Sequence, residues 1–152
     1  MASNITTVYN TTKTAINTLI GTGRTRIPNP YNLEANNKSY LENGWGLKVG
    51  SKVQRDGEFG TFVVDQILTV VLTRQIKRLE TDSTSQDAIF VAMLEDVYTL
   101  QKDFYNNDEM GMPNNVRMIS LGTVSGIEPF LTDKLNFFGL EAEFIFTIAE
   151  TL

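Results

Sequence analysis

The sequence predicts an α+β fold, with a mixed or antiparallel sheet of about four to five strands, two main helices packed on it and a long β-hairpin projecting. Three stretches carry that expectation. The run Phe62–Ile76, FVVDQILTVVLTRQI, alternates: Phe62, Val64, Leu68, Val70, Leu72 and Ile76 share one face, interrupted only by Gln66 and Arg74. Residues 83–105 repeat apolar side chains at helical spacing. The C-terminal run Phe137–Thr151 splits into an apolar face and a polar one.

The 152 residues suit a single domain, 1–152, long enough to bury a core. Hydrophobic residues make up 41% and charged residues 20%, so the chain is neither disordered nor membrane-spanning in composition. No apolar run reaches the roughly 20 residues of a transmembrane helix. The N-terminus lacks the basic region and apolar core of a signal peptide, and no secretion is expected. There is no cysteine, which removes disulfides, thiolate nucleophiles and cysteine metal sites. There is no histidine either, the commonest general base and transition-metal ligand. No cofactor or metal is therefore expected, and the chain is not read as an enzyme. A net charge of −5 and a pI near 4.7 argue against a surface that grips nucleic acid.

Taken in order, Ile5, Val8, Thr12, Ala15, Ile16, Leu19 and Ile20 recur at helical spacing and predict an amphipathic helix over Ile5–Ile20. Its threonines are poor helix formers, so packing must hold it. Gly21 and Gly23 stop it. Pro28 and Pro30 then keep the chain extended, and Ile27 ends a short strand begun near Arg24. The long stretch Asn29–Asn43 is rich in turn-forming asparagine. Its aromatic and aliphatic residues Tyr31, Leu33, Tyr40, Leu41 and Trp45 either pin the loop to its own domain or bury into a neighbouring subunit.

A strand is expected from about Trp45 to Gln54, with Gly50 as a bulge. Asp56-Gly57 then turns it into the Phe62–Ile76 strand as an antiparallel hairpin. Fifteen residues at about 3.3 Å each reach roughly 50 Å, so this strand either projects or bends. Ser83 with Gln86 fits a capping box that opens a helix running to about Tyr105. Its apolar stripe is Ile89, Phe90, Met93, Leu94, Val97, Leu100 and Phe104. The segment Asn106–Asn115 reads as an irregular loop holding Met110 and Met112 as flexible contacts. Val116–Glu128 reads as one strand, Pro129–Asn136 as a loop, and Phe137–Thr151 as the last strand.

Chemistry is sparse along this order. Gly21-Thr-Gly23 lacks the pattern of a phosphate-cradling loop. Asp103, Asp108 and Glu109 do not match a calcium loop. Glu141 and Glu143 share a strand face and are the only candidate carboxylate pair, although a solvated face explains them. Arg74, Lys77 and Arg78 form the one basic cluster, read as a strand end or a subunit salt bridge.

The helix–hairpin–helix–hairpin order and the domain length resemble the tail terminator (tail completion) proteins of long-tailed bacteriophages and the related neck proteins. The segments Ile27–Glu34 (IPNPYNLE) and Gly44–Gly50 (GWGLKVG) are similar to phage neck proteins. The resemblance implies a structural virion protein of the tail or neck, assembled in the host cytoplasm without membrane contact. It implies a homohexameric ring that caps the tail tube, stops its polymerisation and docks the head connector. Its partners would be copies of itself, the tail tube protein and a neck or connector protein. DNA would pass through unbound, and no catalytic residues are implied. A heterologous ring contact fits a projecting hairpin. The residues expected at subunit or partner contacts are Tyr31, Leu33, Tyr40, Trp45, Phe62, Arg74, Lys77, Arg78, Met110 and Met112. A neck adaptor or a tail tube protein is the alternative, and a small-molecule binding module or a carboxylate enzyme stands behind both.

Overall fold

The computed structural model describes residues 4–55, 59–76, 83–105, 112–131 and 136–151. In chain order these form helix α1 (Asn4–Ile20), strand β1 (Thr25–Arg26), a 3-10 turn (Leu33–Ala35) and short helix α2 (Lys38–Leu41). Strands β2 (Asn43–Arg55) and β3 (Thr61–Gln75), helix α3 (Ser83–Tyr105), and strands β4 (Val116–Val124), β5 (Glu128–Leu131) and β6 (Asn136–Thr151) follow. The fold is α+β with a six-stranded sheet in the order β1-β2-β3-β6-β4, and β5 also pairs with β6. The sheet is mixed because β1 runs parallel to β2, while every other pairing is antiparallel.

The strand count exceeds the expected four to five. β1, of two residues, lies within the short strand expected between Arg24 and Ile27, so the addition is β5, a four-residue edge piece that falls mostly in the expected Pro129–Asn136 loop. Four residues carry no readable alternation. The strand expected over Val116–Glu128 ends at Val124, and β4 and β5 lie one after the other along the same edge of β6. Ser125 closes the seam between them: its N–H donates to the Glu141 carbonyl at 2.8 Å, and its hydroxyl accepts from the Glu141 N–H at 2.8 Å. Pro129 is tolerated in β5 because that strand is at the margin, where no ladder donor is needed.

Period two decides which sheet face is dry. Even-numbered Val64, Leu68, Val70 and Leu72 of β3 and Leu140, Ala142, Phe144, Phe146 and Ile148 of β6 point to the helix side. There they meet Val8, Ala15, Ile16 and Ile20 of α1 and Met93, Val97, Leu100 and Phe104 of α3. Phe104 packs on Phe144 and Phe146 with ring centroids 4.3 and 6.2 Å apart. Gln66, the polar interruption on that face, sits where β2 bulges between Val49 and Lys52. Its amide donates to the carbonyls of Gly50 at 3.1 Å and Ile67 at 3.0 Å, satisfying backbone that the bulge leaves unpaired.

The opposite face is more open: Asp65 and Glu143 are part-exposed there, although Thr69 and Thr147 are buried, and Lys48 pairs with Glu141 at 2.5 Å. A second, smaller core lies at one end. There Ile27, Leu33 and Leu41 pack on Val71, Phe137 and Phe130, the last two stacked at 5.0 Å. The long asparagine-rich stretch is thus pinned to its own domain at Leu33 and Leu41. Gly44 permits the entry into β2, since a Cβ there would lie 2.3 Å from the Tyr40 carbonyl.

Asn36 organises that cover. Its Oδ1 accepts from the Asn29 N–H at 2.9 Å, and its Nδ2 donates to the carbonyls of Asn29, Asn32 and Leu33 at 2.9–3.1 Å. Asn36→Ala is expected to cost roughly 1–3 kcal/mol in urea unfolding, because it orphans several partly buried backbone groups at once. A loss below about 0.5 kcal/mol, the size of an ordinary surface substitution, would show that water replaces these bonds.

The long strand does not stand alone. β6 accompanies β3 in continuous register from Thr61↔Thr151 to Gln75↔Phe137. The outer part of β2 is exposed at every residue from Val49 to Arg55, yet it stays paired with β3 as far as Arg55↔Val63. No helix among the described residues is long and apolar enough to cross a membrane.

Candidate assembly interface

Helix α3 carries two apolar stripes. The first, Met93, Val97, Leu100 and Phe104, is buried against the sheet. The second is Val91, Leu94, Tyr98 and Tyr105, which are 57%, 57%, 60% and 89% exposed. Beside it on β4 stand Leu121 and Val124, 49% and 36% exposed. Single exposed apolar residues are ordinary, whereas a run of neighbours on one face marks an interaction surface.

Two grooves cut this surface. One, of about 730 Å³, lies between Phe90, Leu94 and Tyr98 of α3 and the Val124–Ile127 segment, with Glu95 on its wall. The other, of about 370 Å³, runs between Phe104 and Tyr105 and the β4 residues Ile119 and Leu121. Gln101 borders both, so they form one furrow along α3. β4 is the terminal strand on this side of the sheet, and its outer ladder is unpaired among the described residues.

The other margin is β2. β1 covers only Gly44 and Trp45, which leaves the outer edge of β2 unpaired by strand from Gly46 onward among the described residues. Tyr31 caps one point of it, its phenol oxygen accepting from the Val49 N–H at 2.9 Å. Val49 and Val53 are exposed, as is Phe59 at the turn. Exposed edges of this kind invite pairing with another chain.

Beneath the helices lies a charged cluster. Asp96 of α3 accepts from Arg24 at 2.6 Å through Oδ1 and from Arg74 at 2.8 Å through Oδ2. Arg74 also donates to the Asn43 side chain and, at 3.3 Å, to the Thr73 carbonyl. The three ionic side chains are only 15%, 11% and 8% exposed for Arg24, Arg74 and Asp96. Burial pushes the Arg74 guanidinium below its ordinary value, the nearby Arg24 charge adds to this, and Asp96 opposes both. The cluster ties the start of β1, the end of β3 and the middle of α3 together. It therefore works inside the fold.

The residues expected at contacts are dispersed by the structure. Tyr31 is 65% exposed on the β2 margin. Leu33 belongs to the small second core, and Tyr40 is half-buried. Trp45 is 2% exposed inside the main core and presents no surface to a neighbour; the Arg26 guanidinium lies 5.8 Å from its ring centre. Phe62 and Met112 are half-buried against the main core. Arg74 is held by Asp96, and Lys77, Arg78 and Met110 lie outside the described residues. The α3–β4 face was missed. Its signal is nonetheless present in the sequence, as a heptad-like spacing of Val91, Leu94, Tyr98 and Tyr105 on a helix already assigned one apolar stripe.

The carboxylates on the open face do not converge on a catalytic arrangement. Glu141 is bound to Lys48 and borders a depression of about 340 Å³ that also touches Glu128. Glu143 accepts only a long contact, 3.5 Å, from the Thr123 N–H among the described residues. Among the described residues no group of three or more acidic side chains is placed to hold a metal ion.

No protein-family model matches the chain, and no curated protein matches its sequence.

Proposed function

We propose that this chain is a structural subunit of a phage tail or neck, a ring-forming tail terminator that caps the tail tube and joins it to the head connector. One observation carries the assembly part of this reading. Among the described residues the sheet has two different open margins, β2 and β4, and each is flanked by exposed apolar side chains. A contact that joins these two unlike margins is heterologous, and a heterologous contact that closes makes a ring. The step from ring to tail terminator rests on the sequence resemblance. An acidic subunit also suits a passage for DNA, since negative walls do not hold phosphate. The partners on this reading are copies of the chain, the tail tube protein and a neck or connector protein. A head–tail neck adaptor or a tail tube protein is the neighbouring reading.

Light scattering on purified protein, with negative-stain imaging of the same sample, tests it. Closed rings of about six subunits that cap the ends of isolated tail tubes are expected. A monomer at every concentration that also leaves tail tubes uncapped would overturn the reading.

A further inference from the structure

We propose that the outward stripe of α3 is a two-fold contact, on which α3 of a second copy of this chain packs antiparallel. The contact is independent of the ring reading, because it uses the helix layer and not the two sheet margins.

The stripe has the spacing of a coiled-coil seam. Val91, Leu94, Tyr98, Gln101 and Tyr105 follow one another in alternating steps of three and four residues. The four apolar members are exposed, and Gln101 is half-buried. The buried stripe of Met93, Val97, Leu100 and Phe104 already holds the helix to the sheet, so a second helix meets a preformed seam with no further ordering cost. From Val91 to Tyr105 the seam runs roughly 20 Å at about 1.5 Å per residue. Leu121 and Val124 of β4, exposed beside the helix, widen the apolar surface.

Charge selects both the occupant and its direction. Glu95 and Lys102 lie one heptad apart on the same side of the seam. Both are exposed, and neither has an ion-pair partner among the described residues. Their midpoint falls between Tyr98 and Thr99, and the seam from Val91 to Tyr105 is centred on Tyr98. A two-fold axis at that centre lays apolar side chains on apolar side chains. It also sets Glu95 of each copy against Lys102 of the other, twice. A parallel pair in register would bring like charges to the same level and gain no opposite pair. The stripe is therefore complementary to itself in one direction, and the polar Gln101 within the seam helps to fix its register. An isologous contact of this kind joins copies in twos.

Analytical ultracentrifugation of charge variants tests the contact. Glu95→Lys and Lys102→Glu each put like charges opposite one another at both ends of the pair. Each alone is expected to weaken pairing about tenfold. Mixing the two variants, or placing both changes in one chain, is expected to restore it, since every opposed pair is again of unlike charge. Leu94→Glu alters a side chain that is 57% exposed, so the melting temperature should hold while the particle mass halves. That halving is from paired rings to single rings if the ring reading holds, and from dimers to monomers if it fails. The chain has no cysteine, so Asp87→Cys carries a single spin label. Antiparallel copies should place two such labels roughly 35 Å apart, from the helical rise of about 1.5 Å per residue.

A particle mass that Leu94→Glu leaves unchanged would overturn the proposal. So would charge variants that fail to recover on mixing, or labels within about 20 Å, the spacing of a parallel pair.

Discussion

Asp96→Asn is expected to lower the stability of the fold by about 3–5 kcal/mol, the usual cost of removing one member of a buried ion pair. Asp96 receives both Arg24 and Arg74, so its loss leaves two guanidinium groups buried near each other without a counter-charge. Asparagine keeps the shape but offers one acceptor where the carboxylate offered two, and its amide directs hydrogens at a cation. For a domain of this size the melting temperature should fall by on the order of 10 °C. A second variant separates charge balance from simple packing. Replacing the whole cluster (Arg24→Met, Arg74→Met and Asp96→Leu together) should cost much less than the single asparagine, because no buried charge is left alone. If Asp96→Asn unfolds at nearly the wild-type urea midpoint, solvent reaches the cluster and the ionic account of this junction is wrong.

The second large effect is expected at Phe104. Its ring is 1% exposed and wedged against Phe144 and Phe146, which join the last turns of α3 to the centre of β6. Phe104→Ala should cost about 3–5 kcal/mol, from lost transfer energy plus an unfilled cavity. Phe104→Leu keeps most of the volume and should cost under about 1.5 kcal/mol. The pair also reports on assembly. The furrow is built on the same helical turns, since Phe104 and Tyr105 both border it. The leucine variant should therefore assemble as wild type does. The alanine variant should lose assembly in parallel with helix anchoring, followed as the melting of helical signal against light-scattering mass. Alanine at this position with stability unchanged would mean that α3 is held mainly by its first turns.

The sequence alone determined what depends on local period. Alternation in Phe62–Ile76 and Phe137–Thr151 assigned the inward face of both long strands, and the structure places those even-numbered side chains in the core. Helical spacing located α1 and α3 to within a residue or two. Gly50 was recognisable as a bulge, and the bulge lies there. These features follow from how a backbone presents consecutive side chains, and neighbours in sequence suffice to read them.

The tertiary structure decided everything that depends on which distant surface comes to lie opposite. Arg74 reads from the sequence as a strand end or a subunit salt bridge, whereas α3 of the same chain brings Asp96 within 2.8 Å of it. Trp45 sits beside a polar loop in the sequence but faces Leu72 across the hairpin, and so lies in the core. β5 exists only because β6 offers it an unpaired edge, since a four-residue strand has no stability of its own. On α3 the sequence reads as one apolar stripe that includes Leu94. The sheet's position instead leaves Leu94, with Val91, Tyr98 and Tyr105, facing outward. Burial is a property of pairs of surfaces, and a single helix does not contain that information.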